Sequence, residues 1–326
     1  MSNAEVLNTQ NERSTLFKYY SKDNIIKYGD IVIAYVTPQS MASFKLEKGG
    51  IYNNRCGSYK HDDIVGKKWG TKIATHTGRG FIYILHPTPE LWTNVLPHRT
   101  QILYLPDISF ISMNLNLKPG DNVIETGTGS GSFSHSIARS IFPTGHLYTF
   151  EFHEERSKRV RQEFIEHGLD DIITIQCRDA STGFGLKDCI DAVFLDLPAP
   201  WDAIPHTIEC FKPNKIGKIC CFSPCIEQVQ RSCASLHKNK FINIRMFEVL
   251  TKPYEVRTFS YKPIPEVKIN TDEQNKMDIV EPSETTAVEL EPSKVFNLTV
   301  SRAATTVRGH TSYLTFADYP KFNDLM

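Results

Sequence analysis

Apolar residues come in short runs in the first quarter of this chain and in longer, alternating patterns after it. Asp30-Ile-Val-Ile-Ala-Tyr-Val36, Ser43-Phe-Lys-Leu46, Thr71-Lys-Ile-Ala-Thr75 and Phe81-Ile-Tyr-Ile-Leu85 read as strands, separated by glycine-containing turns. Closely spaced short strands with such turns predict a small β-rich domain over residues 23–86. After the Pro87-Thr-Pro89 turn the pattern becomes helical, and Lys118-Pro-Gly120 stops the second helix. From Asn122 onwards strands and helices alternate. Strands are expected at 122–125, 146–150, 172–177, 191–195 and 218–222, and helices at 132–142, 154–167, 201–211 and 226–238. That alternation predicts an α/β fold with a doubly wound parallel sheet, whose ligands sit beyond the carboxyl ends of the strands. Segments 242–250, 256–261 and 311–316 read as further strands.

Two stretches lack apolar periodicity. Residues 1–22 are expected to be a disordered tail, and residues 262–297 a flexible acidic insert. The sheet domain is accordingly placed at 87–261 and 298–320. The insert distorts the charge balance. Over 326 residues the formal net charge is zero, but residues 266–297 hold eight acids and three lysines. The remainder carries 29 acidic and 34 basic residues, and residues 1–100 alone carry 13 basic and 8 acidic ones. A mildly basic body suits an anionic partner without requiring one. No run approaches the roughly 18 apolar residues of a membrane span, and Met1 to Tyr20 lacks the apolar core of a signal peptide. The expectation is a protein inside the cell with no membrane partner. None of the eight cysteines forms a Cys-x-x-Cys pair, so reduced thiols are expected rather than a metal site.

The candidate chemistry gathers at predicted strand ends. Val123-Ile-Glu-Thr-Gly-Thr-Gly-Ser-Gly-Ser-Phe133 runs from a strand through Gly127, Gly129 and Gly131 into a helix. Glycines there let a ligand approach the backbone. Glu151, 20 residues past Gly131, ends the next strand, where a carboxylate can hold both ribose hydroxyls of a nucleoside cofactor. The spacing is Gly-x-Gly-x-Gly, not the Gly-x-Gly-x-x-Gly of nicotinamide and flavin enzymes. Glu125, two residues before the turn, suits a cofactor with a positive end. Asp179 can accept from an adenine amine or simply cap a turn. Arg156 can reach over the cofactor or sit on the surface. Asp196, opening Asp196-Leu-Pro-Ala-Pro-Trp201, can face the cofactor or cap the following helix. His135, His153 and His206 fall in no nucleophile–base spacing.

Six segments together carry a more specific signal. They are His86-Pro-Thr-Pro-Glu-Leu-Trp-Thr93, Leu96-Pro-His-Arg-Thr-Gln-Ile-Leu-Tyr104, Glu125-Thr-Gly-Thr-Gly-Ser-Gly131, Val193-Phe-Leu-Asp196, Phe222-Ser-Pro-Cys-Ile-Glu-Gln-Val-Gln-Arg231 and Gly309-His-Thr-Ser-Tyr-Leu-Thr-Phe316. From about residue 25 to 320, outside the insert, the chain resembles the catalytic subunits of eukaryotic tRNA adenine-58 N1-methyltransferases, relatives of the TrmI enzymes. The resemblance implies a Rossmann-like methyltransferase sheet binding S-adenosylmethionine against Leu103, Gly127, Thr128, Gly129, Ser130, Gly131 and Ser132. It further implies Glu151 on the ribose with Arg156 alongside, Asp179 and Ala180 flanking the adenine, and Asp196 facing the methyl donor and the target base. It implies as partners tRNA and a homologous non-catalytic RNA-binding subunit, two such pairs forming a heterotetramer, and a nuclear location. Three readings compete: a nicotinamide dehydrogenase, a non-catalytic RNA-binding homologue, and a protein or DNA methyltransferase. The glycine spacing opposes the first, and the intact glycines and Asp196 oppose the second. The 86–104 and 222–231 segments oppose the third by resemblance.

Overall fold

A computed structural model describes residues 24–75, 78, 80–97, 100–261, 296–304 and 312–322. The expected tail at 1–22 and nearly all of the expected insert lie outside the described residues. Contacts divide the chain into two units, one of residues 1–249 with 310–326 and the other of residues 250–309.

The larger unit begins with six short strands: β1 (Ile31–Thr37), β2 (Ser40–Lys45), β3 (Ile51–Asn54), β4 (Gly57–Lys60), β5 (Lys72–Ala74) and β6 (Phe81–Leu85). Four form an antiparallel sheet in the order β2-β1-β6-β5, and β3 and β4 form a separate hairpin. Strand alternation explains its core. Val32 and Ala34 on β1 and Ile82 and Ile84 on β6 point inward with Ile26, Leu46, Tyr59 and Ile64, while Phe81 and Tyr83 stay exposed. The hairpin is absent from the sequence reading because its strands are four residues long and mostly polar. Its turn is closed locally, with Cys56 N donating to the Asn54 side chain at 2.8 Å.

Two helices lead to the main sheet. Helix α1 (Pro89–Val95) starts on a Thr88 cap followed by Pro89, and α2 (Leu105–Asn114) follows. Then come β7 (Asn122–Thr126), α3 (Ser132–Ile141), β8 (His146–Glu151), α4 (Glu154–Glu166), β9 (Ile173–Cys177), β10 (Ala192–Asp196), α5 (Pro200–Cys210), β11 (Lys215–Ser223), α6 (Ile226–Lys238) and β12 (Ile242–Phe247). The second unit is described through one antiparallel ribbon, β13 (Tyr254–Tyr261) with β14 (Phe296–Ala303). The sequence reading joins 256–261 to the sheet domain. In the structure β13 pairs with β14 instead, a strand hidden from the sequence reading by the acidic stretch before it. Strand β15 (Tyr313–Lys321) returns to the larger unit.

The main sheet has the order β12-β15-β11-β10-β7-β8-β9. Strands β11, β10, β7, β8 and β9 are parallel, as expected. Strand β15 runs antiparallel to both β11 and β12, so the sheet is mixed. Apolar runs specify a strand but not its direction, which is why the reversal was not foreseen. The inner strands are buried on both faces. Val123 and Phe194 pack under α2, α3 and α4, while Ile124, Val193 and Leu195 pack under α5 and α6. Connections run one way from β7 to β8 and β9 and the other way to β10 and β11. The topological switch therefore lies between β7 and β10, where Glu125 and Thr126 lie in register with Phe194 and Leu195.

Candidate functional site

A crevice opens at that switch point. Its larger part, about 460 Å³, is lined by Gly127, Gly129, Glu151, Arg156, Asp179, Ala180 and Asp196, together with Thr100, Gln101, Phe150, Phe152, Arg178, Leu197 and Pro198. A narrower part is lined by Leu103, Glu125, Thr128, Ser130, Ser132, Phe133 and Phe194. Of the residues singled out from sequence, Gly131 alone lies outside this lining, and it caps α3. All three glycines of the turn have positive φ, 72° at Gly127, 57° at Gly129 and 76° at Gly131. Gly127 is under a second constraint. A Cβ there would run into the backbone carbonyl of Asp196, so the turn and the β10 end can approach only because the side chain is absent.

The turn is fastened to its surroundings by polar side chains. Gly129 N donates to Glu151 Oε2 at 3.0 Å. Ser132 Oγ donates to Leu103 O at 3.3 Å and shares a 2.9 Å hydrogen bond with Thr93 Oγ1. Thr149 Oγ1 and Ser134 Oγ donate to Glu125 Oε2 at 2.7 and 2.6 Å. Because Thr149 gives its only hydroxyl proton to Glu125, the 2.7 Å bond between Thr128 and Thr149 is donated by Thr128. Behind the turn, His135 Nδ1 lies 2.6 Å from Gly131 O and its Nε2 lies 2.8 Å from His167 Nδ1. Burial lowers the His135 pKa to about 4, with the Gly131 carbonyl acting weakly against it. A carbonyl only accepts, so neutral His135 carries its proton on Nδ1. It acts as a support for the turn rather than as an acid or base in the crevice.

Four carboxylates meet here in different states. Burial pushes the pKa of Glu151 up. The hydrogen bonds from Arg156 (2.7 Å), His153 N (2.9 Å) and Gly129 N outweigh it and hold the carboxyl below its usual range. Arg156 is thus Glu151's partner, and it lines the crevice. Glu125 is buried, and burial raises its pKa to about 7 against the two hydroxyl bonds, with the charges of Asp196 and Glu151 adding to the rise. Asp196 is also raised to about 7, by burial first and by the Glu151 charge second. Its amide donates to Thr126 Oγ1 at 3.0 Å, but among the described residues no donor reaches its carboxylate. Nor does Asp196 cap α5, whose N-cap is Ala199. Asp179 does cap a turn, accepting from Ser181 N at 2.9 Å, and these bonds to Ser181 lower its pKa.

This arrangement can be set beside known proteins. Residues 80–319 match the family model described as tRNA methyltransferase complex GCD14 subunit. The chain belongs to this family. A relative from Dictyostelium discoideum, a tRNA (adenine(58)-N(1))-methyltransferase catalytic subunit, is 45% identical over 91% of this chain and 97% of its own length. A catalytic subunit of the same description from Candida albicans is 40% identical over 92% of this chain and 98% of its own. Among solved structures, an S-adenosylmethionine-dependent O-methyltransferase from Thermotoga maritima superposes with a TM-score of 0.70 at 30% identity, covering 90% of this chain and 94% of its own. The tRNA (m1A58) methyltransferase TrmI from Aquifex aeolicus has the same fold, with a TM-score of 0.65 at 22% identity, over 90% of this chain and 98% of its own.

In this member of the GCD14 family the crevice also includes residues that sequence reasoning did not assign. Thr100 and Gln101 lie in the 96–104 segment that carries the resemblance, three and two places before Leu103. Phe152 and Arg178 directly follow the ends of β8 and β9, and Leu197 and Pro198 follow β10. The usable signal was position, since in a wound sheet the residues just past the carboxyl ends of the strands line the ligand crevice. Phe152 is 76% exposed, unusual for a phenylalanine and consistent with a surface that a ligand covers. Among the described residues, no group of histidine, cysteine and acidic side chains is arranged to hold a metal, and no helix is long and apolar enough to cross a membrane.

Proposed function

We propose that this chain is the catalytic subunit of a two-subunit methyltransferase that uses S-adenosylmethionine to methylate N1 of adenosine 58 in the T-loop of tRNA. The supporting observation is the charge state of the crevice. Four carboxylates line it, and among the described residues only Glu151 has a cationic partner. Two carboxyls with pKa values raised to about 7 suit a ligand that carries positive charge into a confined space. S-adenosylmethionine fits that donor set, since it carries an ammonium and a sulfonium, and when bound it supplies an activated methyl group. Glu151 holds the ribose hydroxyls, Arg156 braces Glu151, Asp179 and Ala180 flank the adenine, and Gly127 to Ser132 give the ligand close access to the backbone.

Asp196 is the catalytic residue in this reading. In its ionised form it accepts a hydrogen bond from the N6 amine of the target adenine. That raises electron density at N1 and offsets the positive charge the base gains on methylation. The glycine turn and the β10 end hold the reacting groups in line. The target base must leave its stack to reach the crevice. Residues 23–86, within the basic first hundred, contribute phosphate contacts, so affinity for tRNA falls with added salt. The homologous RNA-binding partner, the two-pair heterotetramer and the nuclear location rest on the family likeness. The test is incubation of unmodified tRNA with labelled S-adenosylmethionine, with and without the partner subunit, followed by mapping of the product. Label at N1 of adenosine 58 is expected. Label elsewhere, or none with the partner present, overturns the reading.

A further inference from the structure

Asp196 stands at the start of a loop that cannot hold itself. Leu197-Pro-Ala-Pro200 contains two prolines, which donate no amide hydrogen bonds, and α5 begins without a side-chain cap. Thr126 fixes the loop's first amide from the strand side. On the other side one face of α6 holds the loop and the first turn of α5. Gln228 Nε2 donates to Pro198 O at 3.0 Å, the Arg231 guanidinium lies 5.1 Å from the centre of the Trp201 ring, and Ser235 Oγ donates to Trp201 O at 3.0 Å. Positions 228, 231 and 235 are spaced by three and four, so they share a helix face.

Gln228 differs from the other two in using both ends of its amide. Oε1 accepts from Cys225 N at 3.1 Å and completes the capping box of α6, while Nε2 reaches the carbonyl two residues past Asp196. A capping box alone is served by glutamate as well as by glutamine. Only glutamine has a donor to spare for the loop. We propose that Gln228 is a positioning residue for the methyl transfer, fastening the Pro198 carbonyl so that the Asp196 carboxylate stays aimed into the crevice. This rests on the reading of Asp196 as the group that meets the target base.

The two ends of the amide can be separated by substitution. Gln228→Glu keeps the acceptor for Cys225 N, but sets an oxygen against the Pro198 carbonyl. Gln228→Ala loses both contacts. The full chain, together with its partner subunit, is assayed for turnover at saturating tRNA and cofactor. Melting temperature, cofactor affinity and hydrogen exchange at the Asp196 and Leu197 amides are measured on the same samples. For Gln228→Glu the expected result is a melting temperature within about 2 °C of wild type and cofactor affinity within about threefold. Turnover is expected to fall roughly 10- to 50-fold, with faster exchange at the two loop amides and unchanged exchange in the first turn of α6. Turnover at the wild-type rate overturns the proposal, as does a loss fully matched by a lowered melting temperature or by weaker cofactor binding. Asp196→Asn in the same assay distinguishes the two claims. If it is as active as wild type, the role of Asp196 fails. If it is inactive while Gln228→Glu is fully active, only the role of Gln228 fails.

Discussion

At the β8 end of the crevice, Glu151 accepts from two backbone amides and from Arg156, and its carboxyl titrates below the usual range. At the β10 end, only about two strands away in the sheet, Asp196 has no donor among the described residues, and its pKa rises to about 7. Glu125, between them on β7, receives two hydroxyl donors yet is also raised to about 7. The same functional group is finished at one end and left unbalanced at the other. In the proposed function, cation and amide donors preorganise Glu151 for neutral hydroxyl groups. In the same proposal, the absence of such donors prepares Glu125 and Asp196 for charge that arrives with a ligand or develops during reaction.

The comparison can be broken first at the unbalanced end. Asp196→Asn should lower single-turnover methylation of tRNA by about a thousandfold. Cofactor affinity should stay within about tenfold, equivalent to ~1.4 kcal/mol. A rate within a factor of two of wild type contradicts the assignment. Glu151→Gln should act on the other quantity. Removing the charge that pairs with Arg156 should weaken cofactor binding by roughly 10- to 100-fold, as expected for a charge-assisted contact. Turnover at saturation should change much less, and titration calorimetry with paired rate measurements separates the two.

A smaller effect follows from linkage. The folded-state pKa of Asp196 is raised above its ordinary value of 3.8, so the native protein binds more protons than the unfolded chain between pH 4 and 7. The carboxyl is therefore compatible with folding below about pH 4 and costs stability as pH rises through about 7. Asp196→Asn should stabilise the cofactor-free protein at pH 8 by on the order of 2 kcal/mol. The difference should shrink towards zero near pH 4, as read by denaturant unfolding. Equal stability of the two proteins at pH 8 would mean that the carboxylate is better solvated than its surroundings suggest. His135 has the opposite sign. Its pKa is depressed to about 4, so it contributes stability above 6.5 that is lost as pH falls towards 4.

How much of this was legible beforehand depends on which signal each residue leaves. The glycine turn and Glu151 announce themselves, because a strand, a glycine run, a helix and an acid at the next strand end are all sequence-local. Asp196 was readable as a strand-end carboxylate, but its proximity to Gly127 was not. That contact is between neighbouring strands 69 positions apart, and it shows only as a missing Cβ. The partners of Glu125 were hidden for the same reason, since Ser134 and Thr149 come from different elements. The β3–β4 hairpin leaves little signal because its strands are short and polar, and β14, although Phe296, Leu298 and Val300 alternate, is hidden by the acidic stretch before it. The direction of β15 was missed because direction carries none. Gln228 stands out in the sequence only as part of the 222–231 segment, and its hold on Pro198 depends on the fold.

The most direct test of the unbalanced end is a proton count. Binding of S-adenosylmethionine is followed calorimetrically at pH 6.5 in buffers of differing ionisation enthalpy, for wild type and for Asp196→Asn. A cation entering beside Glu125 and Asp196 should drive both towards ionisation, so wild type should release protons on binding, with affinity rising as pH increases through 7. Asp196→Asn should release fewer. Binding with no proton release by wild type, or with the same release by both proteins, would contradict the account.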